Sequence, residues 1–242
     1  MFVQKDLIRD FIFPIAIATK HEDGYNFERF LGTGFLIGNR GYALTASHVV
    51  YKSESLVGMF IGEDRGWYAF EIEVCEHHPT QDVALIKFIN GKWSSIFEFS
   101  SEHVHAGLEY SLSGYPTDAL HEDLNNGDIS GRIKPRPDMI YSKGHIRRRI
   151  SWNLNIPGVK GDAFIELSAV AGSGCSGSPV FKIIPNKQYE VLGIYTGERL
   201  NDRATSVSYA VRNDAFVSWI PAILNKSILE ESKKSEEQVS PP

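Results

Sequence analysis

Phe11-Ile12-Phe13-Pro14-Ile15-Ala16-Ile17-Ala18-Thr19 leads into His21-Glu22-Asp23-Gly24 and then Tyr25-Asn26-Phe27-Glu28-Arg29-Phe30-Leu31. An apolar run rich in Ile and Phe, a polar turn closed by glycine and a second aromatic run read as a strand, a reversal and a returning strand. The same pattern spreads outward along the chain. Gly34 to Gly38 and Tyr42 to Thr45 are expected as strands joined by Asn39-Arg40-Gly41. Leu56 to Ile61, Trp67 to Cys75, Val83 to Ile89, Glu109 to Ser113 and Ile140 to Ile150 follow. Ala163 to Val170, Val180 to Ile184, Val191 to Thr196 and Ser206 to Val211 complete the set. About a dozen short strands with hardly a helix between them predict an all-β protein of closed or sandwiched antiparallel sheets.

The polar stretch Ser94 to Ala106 separates two strand groups of similar size, so two barrels joined there are expected. One helix is expected at 213–225, capped by Asn213 or Asp214. Phe216, Val217 and Ile220 share its face, and Pro221 ends or kinks it. From Lys226 to Pro242 the chain turns Glu-, Lys- and Ser-rich and reads as a frayed helix followed by a charged flexible tail.

Composition narrows the class. The 242 residues are 42% hydrophobic and 23% charged, enough for a large core and a soluble surface. The formal net charge of -5 makes no general case for nucleic acid or acidic membranes. The two cysteines, Cys75 and Cys175, read as reduced thiols. Lys5, Asp6, Arg9 and Asp10 interrupt the N-terminal apolar pattern before a secretory signal forms, and Phe11 to Thr19 is too short to span a bilayer. A cytoplasmic location is therefore expected.

Three segments carry the chemistry together. Thr45-Ala46-Ser47-His48-Val49 ends an apolar strand. His78-Pro79-Thr80-Gln81-Asp82-Val83-Ala84-Leu85 starts another. Gly172-Ser173-Gly174-Cys175-Ser176-Gly177-Ser178-Pro179-Val180 is a glycine-rich turn. A serine hydroxyl needs a base beside it to act as a nucleophile. Charge developing on a carbonyl oxygen is best held by backbone N–H groups aimed at one point, and such tight turns need glycine. Ser176 is the expected nucleophile, with the amides of Gly174 and Ser176 as oxyanion donors. His48 is the expected base, since imidazole both accepts and returns a proton near neutral pH. Asp82 is expected to orient it. Singly, each segment reads more readily as a loop or a turn; their order on a β background gives them weight.

These segments resemble those of the chymotrypsin-like (trypsin-like) serine peptidases. Gly32-Thr33-Gly34-Phe35-Leu36-Ile37 with Thr45-Ala46-Ser47-His48 is similar to the family's histidine region. Asp82-Val83-Ala84-Leu85-Ile86-Lys87 is similar to its aspartate region, and Gly174-Cys175-Ser176-Gly177-Ser178-Pro179 to its serine region. Val191-Leu192-Gly193-Ile194 resembles the strand that follows, and Phe216-Val217-Ser218-Trp219-Ile220 the terminal helix. The Ser-Gly-Ser-Pro form and Gly114-Tyr115-Pro116 look most like bacterial stand-alone members. The resemblance implies two six-stranded antiparallel β-barrels and a C-terminal helix within a peptidase domain at 1–225. The first barrel would span about 10–100 and the second about 106–212, with the tail at 226–242. It implies a serine endopeptidase acting through a His-Asp-Ser triad and an acyl-enzyme on a protein or peptide substrate. A catalytically weak protein-binding module on the same fold is the alternative.

The sequence also departs from that family. Secreted relatives often hold an aspartate just before the nucleophile, which pairs with a newly cut N-terminus. Here that place is Cys175, so this switch is absent and a regulatory protein partner is expected instead. By the same resemblance Val170 and Ala171 lie at the floor of the primary pocket, and Thr196 and Glu198 line its wall. With no carboxylate at Val170, an uncharged side chain is the expected preference. Arg132, Lys134, Arg136, Lys143, Arg147, Arg148 and Arg149 form a basic stretch that reads as a solvated hairpin, so nucleic acid is not an expected partner. His77-His78 and His103-Val104-His105 lack the companion ligands of a metal site. Neither metal nor cofactor is expected.

Overall fold

The computed structural model describes residues 7–22, 24–62, 66–99, 103–119, 138–184, 188–200 and 206–233. A 3-10 turn at Leu7–Asp10 leads into thirteen strands among the described residues. The first six are β1 (Ile12–His21), β2 (Gly24–Leu36), β3 (Tyr42–Thr45), β4 (Leu56–Ile61), β5 (Trp67–His77) and β6 (Ala84–Phe88). They close into a barrel in the order β1-β2-β3-β6-β5-β4. Next come β7 (Phe97–Phe99), β8 (Glu109–Gly114), β9 (Ile140–Ile150), β10 (Phe164–Leu167), β11 (Pro179–Ile184), β12 (Gln188–Leu200) and β13 (Ser206–Arg212). Six of these run β11-β8-β9-β10-β13-β12, and the pairing of β11 with β12 closes the second barrel. The all-β double barrel expected from the resemblance is present.

Period-2 burial explains the barrels. Alternate residues of β1 and β2 pack Phe13, Ile15 and Leu36 with Ala43, Ile86 and Phe88 inside the first barrel. Leu112, Ile146, Ile165, Leu167, Val180 and Leu192 fill the second. The opposite faces of both meet in a shared core holding Ile12, Phe35, Leu44, Leu85, Phe164, Phe181 and Ile194. Hydrogen bonds also cross between the barrels, from Thr33 to the Gly174 carbonyl and from the Tyr115 amide to Thr33.

The structure differs from the sequence reading at three places. Tyr25 to Leu31 and the start of the expected Gly34 to Gly38 strand form one strand, β2, which ends at Leu36. Gly32 and Gly34 serve close packing there: a Cβ on Gly32 would lie 2.8 Å from the Ser176 carbonyl, and one on Gly34 2.8 Å from the Phe13 ring. The stretch expected as an irregular linker contains β7, which pairs in parallel with β12 through Phe97 and Tyr189. The helix expected at 213–225 is displaced. Asn213–Ala215 makes a 3-10 turn, further turns follow, and the α-helix is α2 at Ile228–Ser232. Between Asn213 and Pro221 there is too little chain for a stable helix. Ser227 and Glu230 instead form a reciprocal capping box that starts α2. Glu231 of α2 is buried and bonded to both Arg40 and Lys226, so this part of the expected tail is tied to the first barrel. The rest of the expected tail, 234–242, lies outside the described residues.

Candidate active site

His48 lies on α1 (Ser47–Val50), a single helical turn directly after β3. All four residues of β3 are buried, which fixes the position of that turn. Asp82 precedes β6, the strand next to β3, and is 0% exposed. The pairing of Thr45 with Ala84 brings the two strand ends together. His48 Nδ1 lies 2.7 Å from Asp82 Oδ2, and the His48 backbone amide donates to Asp82 Oδ1 at 3.0 Å. The hydroxyl of Thr196 donates to Oδ2 as well. Three donors thus converge on one buried carboxylate, the arrangement that makes a buried charge tolerable. With a carboxylate facing Nδ1, the ring hydrogen belongs there and Nε2 is left as the acceptor.

Ser176 arrives from the second barrel on the turn between Gly172 and Pro179. Gly172, Gly174 and Gly177 have φ of +87°, +96° and +92°, values that side chains rarely adopt. The turn is fastened to the first barrel. The Thr33 amide donates to the Ser176 carbonyl at 2.8 Å, and the Thr33 hydroxyl donates to the Gly174 carbonyl at 3.0 Å. Thr45 Oγ1 donates in turn to the Thr33 carbonyl at 2.7 Å. Gly177 sits so close to this group that a Cβ would lie 2.0 Å from Thr33 O and 2.2 Å from Thr45 Oγ1. Thr45 is three residues before His48, so these contacts set the serine turn beside the histidine turn.

The half-buried Ser176 hydroxyl donates to the Thr196 carbonyl at 3.3 Å. Among the described residues it makes no hydrogen bond to His48. The structure joins His48 to Asp82 directly and links Ser176 to them through Thr196, whose carbonyl takes one hydroxyl while its own hydroxyl goes to Asp82. The amides of Gly174 and Ser176 have no hydrogen-bond partner among the described residues. Gly158 flanks His48, where a Cβ would lie 3.7 Å from the His48 Cβ. Nearby, Lys160 Nζ donates to the His78 carbonyl at 2.6 Å.

The pocket residues fall as follows. Val170 is 44% exposed, whereas Ala171 is buried. Glu198 is exposed and accepts a hydrogen bond from Ser206 Oγ at 2.8 Å. Thr196 is buried with its hydroxyl on Asp82, so its side chain acts on the carboxylate, a contact the sequence did not disclose. The bonding roles of Thr33 and Thr45 were missed too, although Gly32 and Gly34 flank Thr33 and Thr45 stands three residues before His48. Cys175 is buried and its thiol donates to the Ala171 carbonyl at 3.1 Å. Burial, reinforced by the Asp118 and Glu198 carboxylates, pushes the thiol up to about 12. It is thus far from the thiolate a nucleophile requires.

The described part of the basic stretch is ion-paired, with Arg147 and Arg148 sharing one carboxylate. Arg147 and Arg148 reach Glu166 at 3.1 and 2.7 Å, Arg149 reaches Asp214 at 2.6 Å, and Lys143 reaches Glu109 at 3.2 Å. Arg132, Lys134 and Arg136 lie outside the described residues. His77 and His78 diverge, as neighbours on extended chain do. His77 Nδ1 lies 2.7 Å from Ser47 Oγ, while His78 Nδ1 accepts the amides of Thr80 and Gln81 at 3.2 and 3.0 Å.

Residues 32–194 match the family model for the trypsin-like peptidase domain. The chain belongs to the trypsin-like peptidase family. This membership places it among the serine-type peptidases, as the three segments suggested. The trypsin-like domain is similar to a probable periplasmic serine endoprotease DegP-like of Pseudomonas putida (strain GB-1), with 28% identity over 165 residues. That alignment covers 68% of this chain and 28% of the relative. A protein of the same description from Halomonas elongata is 26% identical over 212 residues, covering 81% of this chain and 38% of the relative. The chain thus spans about a third of the length of the curated relatives it matches. Among solved structures, the MamO protease domain from Magnetospirillum magneticum superposes with a TM-score of 0.65 at 15% identity, covering 89% of this chain and 98% of that one. The HtrA-type protease AlgW with a decapeptide gives 0.60 at 13% identity, covering 86% and 62%. At these identities the structures attest to the fold of the trypsin-like domain. No described helix is long and apolar enough to cross a membrane.

Proposed function

We propose that this chain is an endopeptidase that cleaves proteins or peptides through an acyl-enzyme on Ser176. His48 takes the Ser176 proton as the oxygen attacks the scissile carbonyl carbon. The amides of Gly174 and Ser176 receive the resulting oxyanion, and His48 returns the proton to the departing amine. Water then attacks the acyl group by the same route, with Asp82 holding the ring throughout. The observation that carries this reading is the His48–Asp82 contact of 2.7 Å, coupled through Thr196 to Ser176. The 3.3 Å bond from Ser176 to Thr196 is long for an O–H donor, so little opposes rotation of the hydroxyl toward His48 when substrate binds.

Val170, Ala171 and Glu198 border the primary pocket in this proposal, with an uncharged side chain preferred, and peptide-library profiling that returned strong Arg or Lys selection would overturn that preference. A regulatory protein partner belongs to it as well; equal activity of the isolated chain and of cell extract would count against one. The free thiols of Cys75 and Cys175 favour a reducing compartment, the cytoplasm, although the two curated relatives carry "periplasmic" in their descriptions. Cell fractionation decides this.

Ser176→Ala is the central test. It should lower turnover of a quenched fluorescent casein by roughly 10⁴-fold or more and abolish labelling by an alkyl fluorophosphonate. Cys175→Ala should still turn over casein, and iodoacetamide should leave the folded wild type active. Inactivation by iodoacetamide with survival of Ser176→Ala would reverse the assignment. A folded wild type that takes neither probe nor substrate would instead be a binding module.

A further inference from the structure

We infer that Thr117 is a positioning residue for the oxyanion hole: by holding the Ser173 carbonyl it aims the Gly174 N–H. This rests on the reading of Ser176 and Gly174 given above. A peptide unit is planar, and its C=O and N–H point in opposite directions. Whatever fixes the Ser173 oxygen therefore fixes the direction of the Gly174 N–H. Two donors of Thr117 meet that oxygen, the backbone amide at 2.8 Å and Oγ1 at 3.3 Å. On the far side of Gly174, its own carbonyl is held by the Thr33 hydroxyl at 3.0 Å. Both peptide units flanking Gly174 are thus clamped, one from each barrel.

The clamp answers a specific weakness. Gly174, at φ +96°, has no side chain to resist rotation of the neighbouring peptides. A rotated Ser173–Gly174 unit would turn a carbonyl oxygen, in place of an N–H, toward the developing negative charge. The same glycine makes the clamp geometrically possible. A Cβ there would lie 2.7 Å from the Tyr115 carbonyl and 2.8 Å from the Thr117 amide, so only glycine lets the segment after β8 come this close. The position before the nucleophile offers no ionic substitute, because Cys175 is a buried thiol bonded to Ala171 O. Hydrogen bonds from an exposed threonine take over the work of an ion pair.

Three variants separate the donors. Thr117→Ser keeps both, Thr117→Val removes the hydroxyl, and Thr117→Pro removes hydroxyl and amide hydrogen together. The readouts are casein kcat and KM, thermal midpoint, and the rate at which an alkyl fluorophosphonate labels Ser176. That probe places its phosphoryl oxygen in the oxyanion position. Thr117→Pro should lose about 10²-fold in kcat and in labelling rate, the scale of one missing oxyanion donor. KM should stay within about twofold, since the substrate ground state does not use this donor. Thr117→Val should lose roughly three- to tenfold by the weaker bond it deletes, and Thr117→Ser should match wild type. Wild-type rates in Thr117→Pro, or losses confined to KM and the thermal midpoint, would overturn the assignment. Ser176→Ala, measured alongside, keeps the two claims apart. If it stays active, the reading of the site fails and this inference goes with it. If it is dead while Thr117→Pro is fast, only the role of Thr117 fails.

Discussion

The first barrel supplies its part of the site as side chains bonded to each other, His48 to Asp82 at 2.7 Å, whereas the second supplies Ser176 on a turn held mainly through its backbone. On the first side, identity matters most: a carboxylate that only accepts and a ring with one donor and one acceptor. On the second, shape matters most: glycines at positive φ, and the Thr33 hydroxyl from the other barrel that donates to the turn's Gly174 carbonyl. The two halves should therefore fail differently. A change in the first should stop chemistry in an intact fold. A change in the second should cost activity and stability together.

The largest effect is expected at Asp82. In Asp82→Asn one of the two side-chain positions becomes an NH2 group. The His48 amide, His48 Nδ1 and the Thr196 hydroxyl all point donors at this carboxylate, so one donor must face another. The ring is then driven to the wrong tautomer. We expect kcat to fall by about 10³- to 10⁴-fold with the chain still folded, the scale of the same change in a Ser-His-Asp triad. Circular dichroism and casein kinetics on one preparation would test it. Activity within tenfold of wild type would show that Asp82 is not what orients His48.

Gly177→Ala probes the other half. Its Cβ would lie 2.0 Å from Thr33 O and 2.2 Å from Thr45 Oγ1, at a φ of +92°. Neither neighbour can yield cheaply, because the Thr45 hydroxyl and the Thr33 carbonyl are bonded to each other at 2.7 Å within the first barrel. Overlap and backbone strain together should cost about 3 kcal/mol or more of stability. Activity should fall with the thermal midpoint, unlike Asp82→Asn. A variant as stable as wild type but inactive would dissolve the contrast between the halves.

That contrast also explains what could be read from the chain. Side-chain chemistry is written locally, so Thr-Ala-Ser-His and Asp-Val-Ala-Leu were legible beside an apolar strand. Strand positions were legible because β3 and β6 are short, mostly buried apolar runs and β1 begins with one. Contacts between barrels were not, since Thr33 and Gly174 are far apart in sequence and a threonine between two glycines looks like a turn. Phe97-Glu98-Phe99 was lost because three residues give no period. The C-terminal helix was misplaced because Phe216, Val217 and Ile220 pointed to helical spacing, while the capping box at Ser227 and Glu230 decided where a helix starts.

A smaller effect tests the packing behind the first half. His78 is buried four residues before Asp82, with Trp219 at 5.1 Å between ring centroids. Its Nδ1 accepts two backbone amides, which requires the ring to be neutral there. Burial, followed by the nearby Lys160 ammonium, pushes it down to about 4. Burial, with Lys160 adding to it, lowers His77 as well, against a smaller opposing pull from Asp82. In the unfolded chain histidine titrates near ~6.5. Between pH ~6.5 and about 4 the unfolded state therefore binds more protons than the folded state. The stabilisation is fully present above ~6.5 and is lost as pH falls toward 4. Urea unfolding at pH 7.5 and at pH 4.5 should differ by on the order of 2 kcal/mol from this residue. His78→Asn keeps an acceptor for the two amides but cannot titrate. Its stability should fall less over the same interval, while carboxylates and His77 contribute equally to both proteins. Identical slopes would mean that His78 does not need to be neutral to hold the loop that carries Asp82, and that the first half of the site tolerates acid better than its hydrogen bonds suggest.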